Sequence, residues 1–203
     1  MSADNLENLP HDRRSMFRIG LRKLLKPVAE VIEARIEELR IPLPPTTLPR
    51  TVLRPPGALP EKEFLDICYR CGNCMDVCPA RCIRSMSSGD PERAGTPYID
   101  PDLCACVVCD ELACMKACPS GALKLVDDPT SISMGIARVS HPTCVRSRGE
   151  ECTLCVDKCP FGTSAIEVGE AGEIVVKLGG CVGCGVCQFY CPTLPKAIVV
   201  DPI

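Results

Sequence analysis

Tryptophan is absent, and three tyrosines and four phenylalanines in 203 residues leave aromatics at 3%. Rings that normally dominate core burial are therefore too few to organise this fold. Long apolar runs are missing as well. None approaches the roughly 20 residues a helix needs to cross a bilayer, which excludes a transmembrane span. Charge of one sign is lacking too: 23 basic against 26 acidic residues leave −3. With a pI near 5.5 and few rings to stack on bases, the chain does not read as a nucleic-acid binder. Histidine occurs only as His11 and His141, both read as surface residues. Cysteine, by contrast, occurs 18 times, near the level at which cysteine chemistry replaces apolar packing as the organising force. The hydrophobic fraction of 46% counts those cysteines and so overstates the core.

Disulfides, zinc and iron–sulfur clusters can each use many cysteines, and spacing separates them. Structural zinc sites place two close pairs apart, because four ligands converge on one ion. Here the cysteines come in fours, each ending in Cys-Pro. They are Cys68, Cys71, Cys74 and Cys78; Cys106, Cys109, Cys114 and Cys118; Cys144, Cys152, Cys155 and Cys159; and Cys181, Cys184, Cys187 and Cys191. The first and fourth quartets have the bacterial ferredoxin spacing C-x2-C-x2-C-x3-C-P. The second has x4 between Cys109 and Cys114, and the third x7 between Cys144 and Cys152. Four complete quartets point to four [4Fe-4S] clusters held by these sixteen thiolates.

The spacing has a physical reason. Three thiolates two residues apart wrap a tight loop round one face of a cubane, with converging amides that stabilise its negative charge. Gly72, Gly183 and Gly185 permit close backbone approach. The third cysteine opens a short helix, and the fourth, one turn on, ligates the other cluster of a two-cluster unit. Proline then stops the helix and turns the chain into a strand. Cys82 and Cys104 are left over. Cys106 is expected to be the ligand in preference to Cys104, because only it leaves motif two an x2 loop. Cys104 and Cys82 read as small apolar residues near strands.

Two regions follow. Leu21, Leu24, Leu25, Val28, Ile32, Ile36 and Leu39 form a 3.6-residue stripe, which predicts an amphipathic helix within residues 13–40. Residues 41–60 carry seven prolines and read as an extended linker. The expected domains are thus 1–60, helix and linker, and 61–203, the tandem cluster region. Glu61–Asp66 looks helical. Segments 122–126, 165–168 and 197–200 after the motifs, and 135–139 and 173–177 before them, look strand-like, with Gly169 and Gly172 turning between two of these. A loop–helix–hairpin unit repeated four times makes two ferredoxin-like modules, an α+β fold. Sequential pairing of motifs would hand Cys78 to cluster two and Cys118 to cluster one; nested pairing would join Cys78 to motif four. The complete strand–motif–hairpin–motif–strand unit of motifs three and four favours the first.

The order of quartets, regular, x4, x7, regular, resembles the four-cluster ferredoxin-type proteins of periplasmic nitrate reductase and methylamine-utilisation operons, the NapG/MauM type. Cys68-Tyr-Arg-Cys-Gly-Asn-Cys, Cys106-Val-Val-Cys-Asp-Glu-Leu-Ala-Cys, Cys118-Pro-Ser-Gly-Ala-Leu and the Cys144–Cys152 gap carry the likeness, over about residues 55–203. It implies electron transfer from a membrane-bound, quinol-oxidising donor toward a reductase, with the sixteen cysteines above as ligands and no catalytic residue. Family members begin with a twin-arginine export signal. Arg13-Arg14-Ser15-Met16-Phe17-Arg18 resembles its start, but Arg22, Lys23, Lys26, Glu30 and Glu33 interrupt the apolar stretch that should follow. A cytoplasmic protein peripheral to the membrane is therefore expected, with periplasmic export as the alternative.

The remaining residues read plainly. Asp66, Asp76 and Asp110 are expected in solvent, and Tyr69, Phe189 and Tyr190 against the clusters. Each oxidised cubane with four thiolates carries −2, so the loaded protein would hold a net charge of about −11, favouring basic docking partners. A relay of single electrons between redox proteins is the function this composition supports. The alternative is a fixed electron-transfer subunit of a larger oxidoreductase.

Overall fold

The computed structural model describes residues 52–87 and 89–203, which fall within one compact unit, Leu48–Ile203. The expected amphipathic helix and most of the proline-rich stretch lie outside the described residues. Among those described, no helix is long and apolar enough to cross a membrane.

The repeat expected from the quartets is present. Helix α1 (Glu61–Ile67) precedes motif one, and four short helices each contain the third cysteine of a motif: α2 (Asn73–Asp76), α3 (Ala113–Lys116), α4 (Leu154–Asp157) and α5 (Val186–Tyr190). Between motifs one and two the chain forms an antiparallel hairpin of β1 (Ile83–Ser85) and β2 (Pro97–Ile99). Between motifs three and four, β4 (Ile166–Val168) pairs with β5 (Ile174–Val176) through a turn in which Gly172 has φ 84°. The outer strands of the second module, β3 (Gly135–Val139) and β6 (Ile198–Pro202), pair antiparallel from Gly135 opposite Pro202 to Val139 opposite Ile198.

The first module closes in the same way with less regular strands. A strand was expected over 122–126, yet only an isolated bridge forms there, between Leu123 and Ala58. The Leu59 amide donates to Ala122 O and the Lys124 amide to Gly57 O. The partner of this segment is thus the proline-rich stretch, whose Pro55 and Pro56 cannot donate to a ladder. Residues 52–56 are buried in the unit, and Leu53 O accepts from the Ile99 amide.

Arg54 fixes this entry segment. Its guanidinium is buried, donates to both carboxylate oxygens of Glu61 at 2.7 and 2.8 Å, and also donates to Thr96 Oγ and Pro97 O. It lies 4.7 Å over the ring of Phe64, which is fully buried. The hydrogen bond from Arg54, working against partial burial, holds the Glu61 carboxyl below its ordinary value, helped by the Arg54 and Arg93 charges. Replacing Arg54 with methionine leaves buried acceptors unpaired. We expect a loss of about 2–4 kcal/mol, allowing for the half-exposed Glu61, measured by anaerobic urea unfolding. The lowered carboxyl makes this contribution present above the unfolded value near 4.5 and lost on acidification, so the difference between the two proteins should shrink at low pH.

Candidate metal centres

Four cavities occur in the unit, and each has a cysteine quartet in its wall. The first collects Cys68, Cys71 and Cys74 of motif one with Cys118 of motif two. The second collects Cys106, Cys109 and Cys114 with Cys78. Cys144, Cys152 and Cys155 meet Cys191 round the third, and Cys181, Cys184 and Cys187 meet Cys159 round the fourth. All sixteen cysteines singled out in the sequence are thus gathered in fours. The fourth cysteine of each motif crosses to its neighbour, and motifs pair sequentially, one with two and three with four.

The chain geometry behind this gathering recurs in motifs one, two and four. Arg70, Val108 and Gly183, each just before a second cysteine, have positive φ of 54°, 48° and 74°. Leu112 and Gly185 take the same left-handed conformation immediately before α3 and α5. Reversing handedness over successive residues turns neighbouring amides to one side, the concavity that suits an anionic group. Non-glycine residues adopt this conformation only at a cost of about 1–2 kcal/mol each, so the surrounding structure must impose it.

The thiols are already surrounded by donors. The Leu123 amide lies 3.4 Å from Cys118 Sγ, and the Ser120 hydroxyl 3.5 Å. The Thr193 hydroxyl lies 3.2 Å from Cys191 Sγ. Burial opposes ionisation of Cys118, but the Ser120 hydroxyl and the amides of Leu123, Ser120 and Gly121 outweigh it and hold the thiol below its usual value. At Cys191, burial is likewise outweighed, by the Thr193 hydroxyl and the amides of Thr193, Ala197 and Ile198. At several others burial wins. It pushes Cys74 and Cys155 up to about 11 and Cys114 and Cys184 to about 12, each reinforced by neighbouring cysteines. Four such thiols cannot share an apolar cavity as bare anions; a compensating cationic centre is required.

The donor set suits a cluster better than a single ion. Among the described residues no three His, Cys, Asp or Glu side chains converge as one metal ion would require. Zinc draws its thiolates to about 2.3 Å, whereas these stand round a space, with aliphatic side chains such as Ala165, Ile166 and Val186 between them.

Several expectations are corrected or sharpened. Phe189 and Tyr190 line none of the four cavities; they meet edge to face with centroids 5.1 Å apart, and Lys158 lies over Tyr190. Both are exposed and pack on each other at the surface. Tyr69 does line the first cavity but is 70% exposed, so the shielding ring is Phe64, which sequence reading did not single out. Asp66, Asp76, Asp110 and His141 are exposed, as expected. Cys104 lines no cavity and donates to Ala80 O, whereas Cys106 stands in the second. Cys82 is buried beside β1 and also lines the second cavity.

Paired loop–helix–hairpin units enclosing cysteine quartets define a ferredoxin-like α+β protein, and residues 67–122 match the model of the 4Fe-4S dicluster domain. The chain is 40% identical over 161 residues to the methylamine utilization ferredoxin-type protein MauM of Methylophilus methylotrophus, covering 75% of this chain and 71% of that protein. It is 33% identical over 163 residues to the ferredoxin-type protein NapG of Escherichia coli, covering 74% and 71%. Polyferredoxin MvhB of Methanothermobacter marburgensis is 31% identical over 119 residues, 57% of this chain and 24% of its own. The chain belongs to the MauM/NapG family of ferredoxin-type proteins. It is an iron–sulfur electron-transfer protein that carries [4Fe-4S] clusters.

Proposed function

We propose that the chain relays single electrons through four [4Fe-4S] clusters, one in each cavity, with the sixteen cysteines of the quartets as ligands. The observation that carries this reading is that every cavity combines three cysteines of one motif with the fourth of its neighbour. When bound, a [4Fe-4S] cluster supplies a one-electron couple. The chain supplies thiolates, amide donors and the exclusion of water.

The contacts support an order for the relay: first, second, fourth, third. Within each module the exchanged cysteine ties two cavities together. Between modules, the Cys106 amide donates to Cys184 O at 3.0 Å, joining the second cavity to the fourth. Burial agrees with this order. Each inner quartet has two buried cysteines, Cys106 and Cys114, and Cys184 and Cys187, whereas each outer quartet has one, Cys74 and Cys191, and Cys71 at the first cavity is exposed. Electrons would enter and leave at the two outer cavities. The donor and acceptor are redox proteins, with a membrane quinol dehydrogenase on the donor side and a reductase on the other. The amphipathic stripe expected within residues 13–40 would serve docking to a partner or the membrane surface.

Anaerobically purified protein should contain about 16 iron atoms and matching sulfide, and bleach on taking up about four electrons. Zinc at about one ion per quartet, with no visible absorption, would overturn the reading.

A further inference from the structure

The second cavity has five cysteines in its wall, not four: Cys78, Cys106, Cys109, Cys114 and Cys82. Cys82 is 1% exposed, and its sulfur lies 3.7 Å from that of Cys78, in van der Waals contact. Cys106 stands in the same wall. The repeat makes this position comparable across the four units. After each fourth cysteine, the last residue before the strand-like segment lines the cavity or its edge. It is Ala122 before Leu123, Ala165 before Ile166 and Ala197 before Ile198, but Cys82 before Ile83. Three units place a methyl group there, and only the first places a thiol. Arg81, exposed and held at φ 51°, sets the turn that delivers Cys82 to the wall.

We propose that Cys82 is a reserve ligand of the second cluster, able to take the place of Cys78 without loss of iron. This rests on the four-cluster reading above. The exchange needs no oxidant or reductant. Cys82 would hold the second cluster through its thiolate in place of Cys78, its proton passing to the released Cys78 thiolate, so that one iron–thiolate bond would replace another with no change in electron count. None of the other three quartet-lined cavities has this property, since Ala122, Ala165 and Ala197 offer no donor atom. The second cluster is thereby the one site able to survive loss of its crossing ligand.

The test compares three full-length variants, purified anaerobically, by iron and sulfide content and by electron paramagnetic resonance of the reduced protein. Cys118→Ala, at the first cavity, should lose about four iron atoms. Cys78→Ala should retain all of them, with a shifted signal from the second cluster. The double variant Cys78→Ala/Cys82→Ala should lose about four. Loss of four iron atoms from Cys78→Ala alone would overturn the reserve role and leave the ligand assignment standing. Full iron in Cys118→Ala would instead overturn the crossing-ligand reading itself. Cys82→Ala alone, which copies the other three units, should fold and keep its full iron; a loss there would show that Cys82, and not Cys78, is the resident ligand, and would also overturn the proposal.

Discussion

Replacing Cys159 with alanine is expected to remove about four of some 16 iron atoms and to erase the same resonance signal as replacing Cys181 or Cys187. The Cys155 variant should erase a different one. Cys159 lies in motif three, three residues beyond Val156 on the same chain segment as Cys155, so chain proximity alone would assign both to one cluster. The cavities separate them. Cys155 faces the third with Cys144, Cys152 and Cys191, while Cys159 faces the fourth. The effect should be large because the remaining wall cannot compensate. Burial, and then the charges of Cys106, Cys159 and Cys181, push Cys184 up to about 12, and burial drives Cys187 higher still. With one thiolate gone, those thiols return to their neutral form, and Ala165, at the place Cys82 holds in the first unit, has nothing to donate. A Cys159→Ala protein that shared its missing signal with the Cys155 variant would contradict the exchange of ligands between motifs.

Much of this arrangement was legible in the sequence because its determinants are local. A cysteine's place in its quartet fixes which side of a short helix it occupies, and α2, α3, α4 and α5 all form where the third cysteine required them. The strands at Ile166, Ile174 and Ile198 carried their own β-branched signature. What escaped were features set by partners distant in sequence. Residues 122–126 looked like a strand, but their partner is the proline-bearing segment near Ala58, which allows only a bridge. Ile83–Ser85 lacked a strand pattern and pairs because the hairpin to Pro97–Ile99 holds it. Sequential and nested pairing use the same repeats, so spacing could not choose between them; the walls of the cavities do. Arg54 carries no signal of its own in the sequence, and only its bonds to Glu61, Thr96 and Pro97 show that it fastens that segment to the module.

The junction between modules was equally invisible in the sequence, and it yields the second large effect. Gly185→Val is expected to destabilise the protein by about 2–5 kcal/mol and to weaken the magnetic interaction between the second and fourth clusters. Gly185 has φ 85°, a conformation that a β-branched residue resists, and a Cβ there would come within 2.8 Å of the Pro101 side chain. Pro101 is buried, and next to it Asp102 accepts from the buried Gln188 side chain at 2.8 Å. Gln188 in turn accepts from the Val200 amide, so a push at Gly185 is carried into β6. One residue away, Cys184 O receives the Cys106 amide, the direct link between the two inner cavities. Backbone strain and close approach can be told apart with Gly121→Ala. Gly121 also has positive φ, 74°, but nothing lies within 4 Å of its added Cβ. That variant should cost about 1 kcal/mol and leave the interaction between clusters untouched. Low-temperature resonance spectra of the fully reduced proteins provide the measurement, since coupled clusters broaden and split one another's signals. If the Gly185→Val spectrum kept the full coupling while its stability fell, the Cys106–Cys184 contact would not be the link that joins the modules' redox centres.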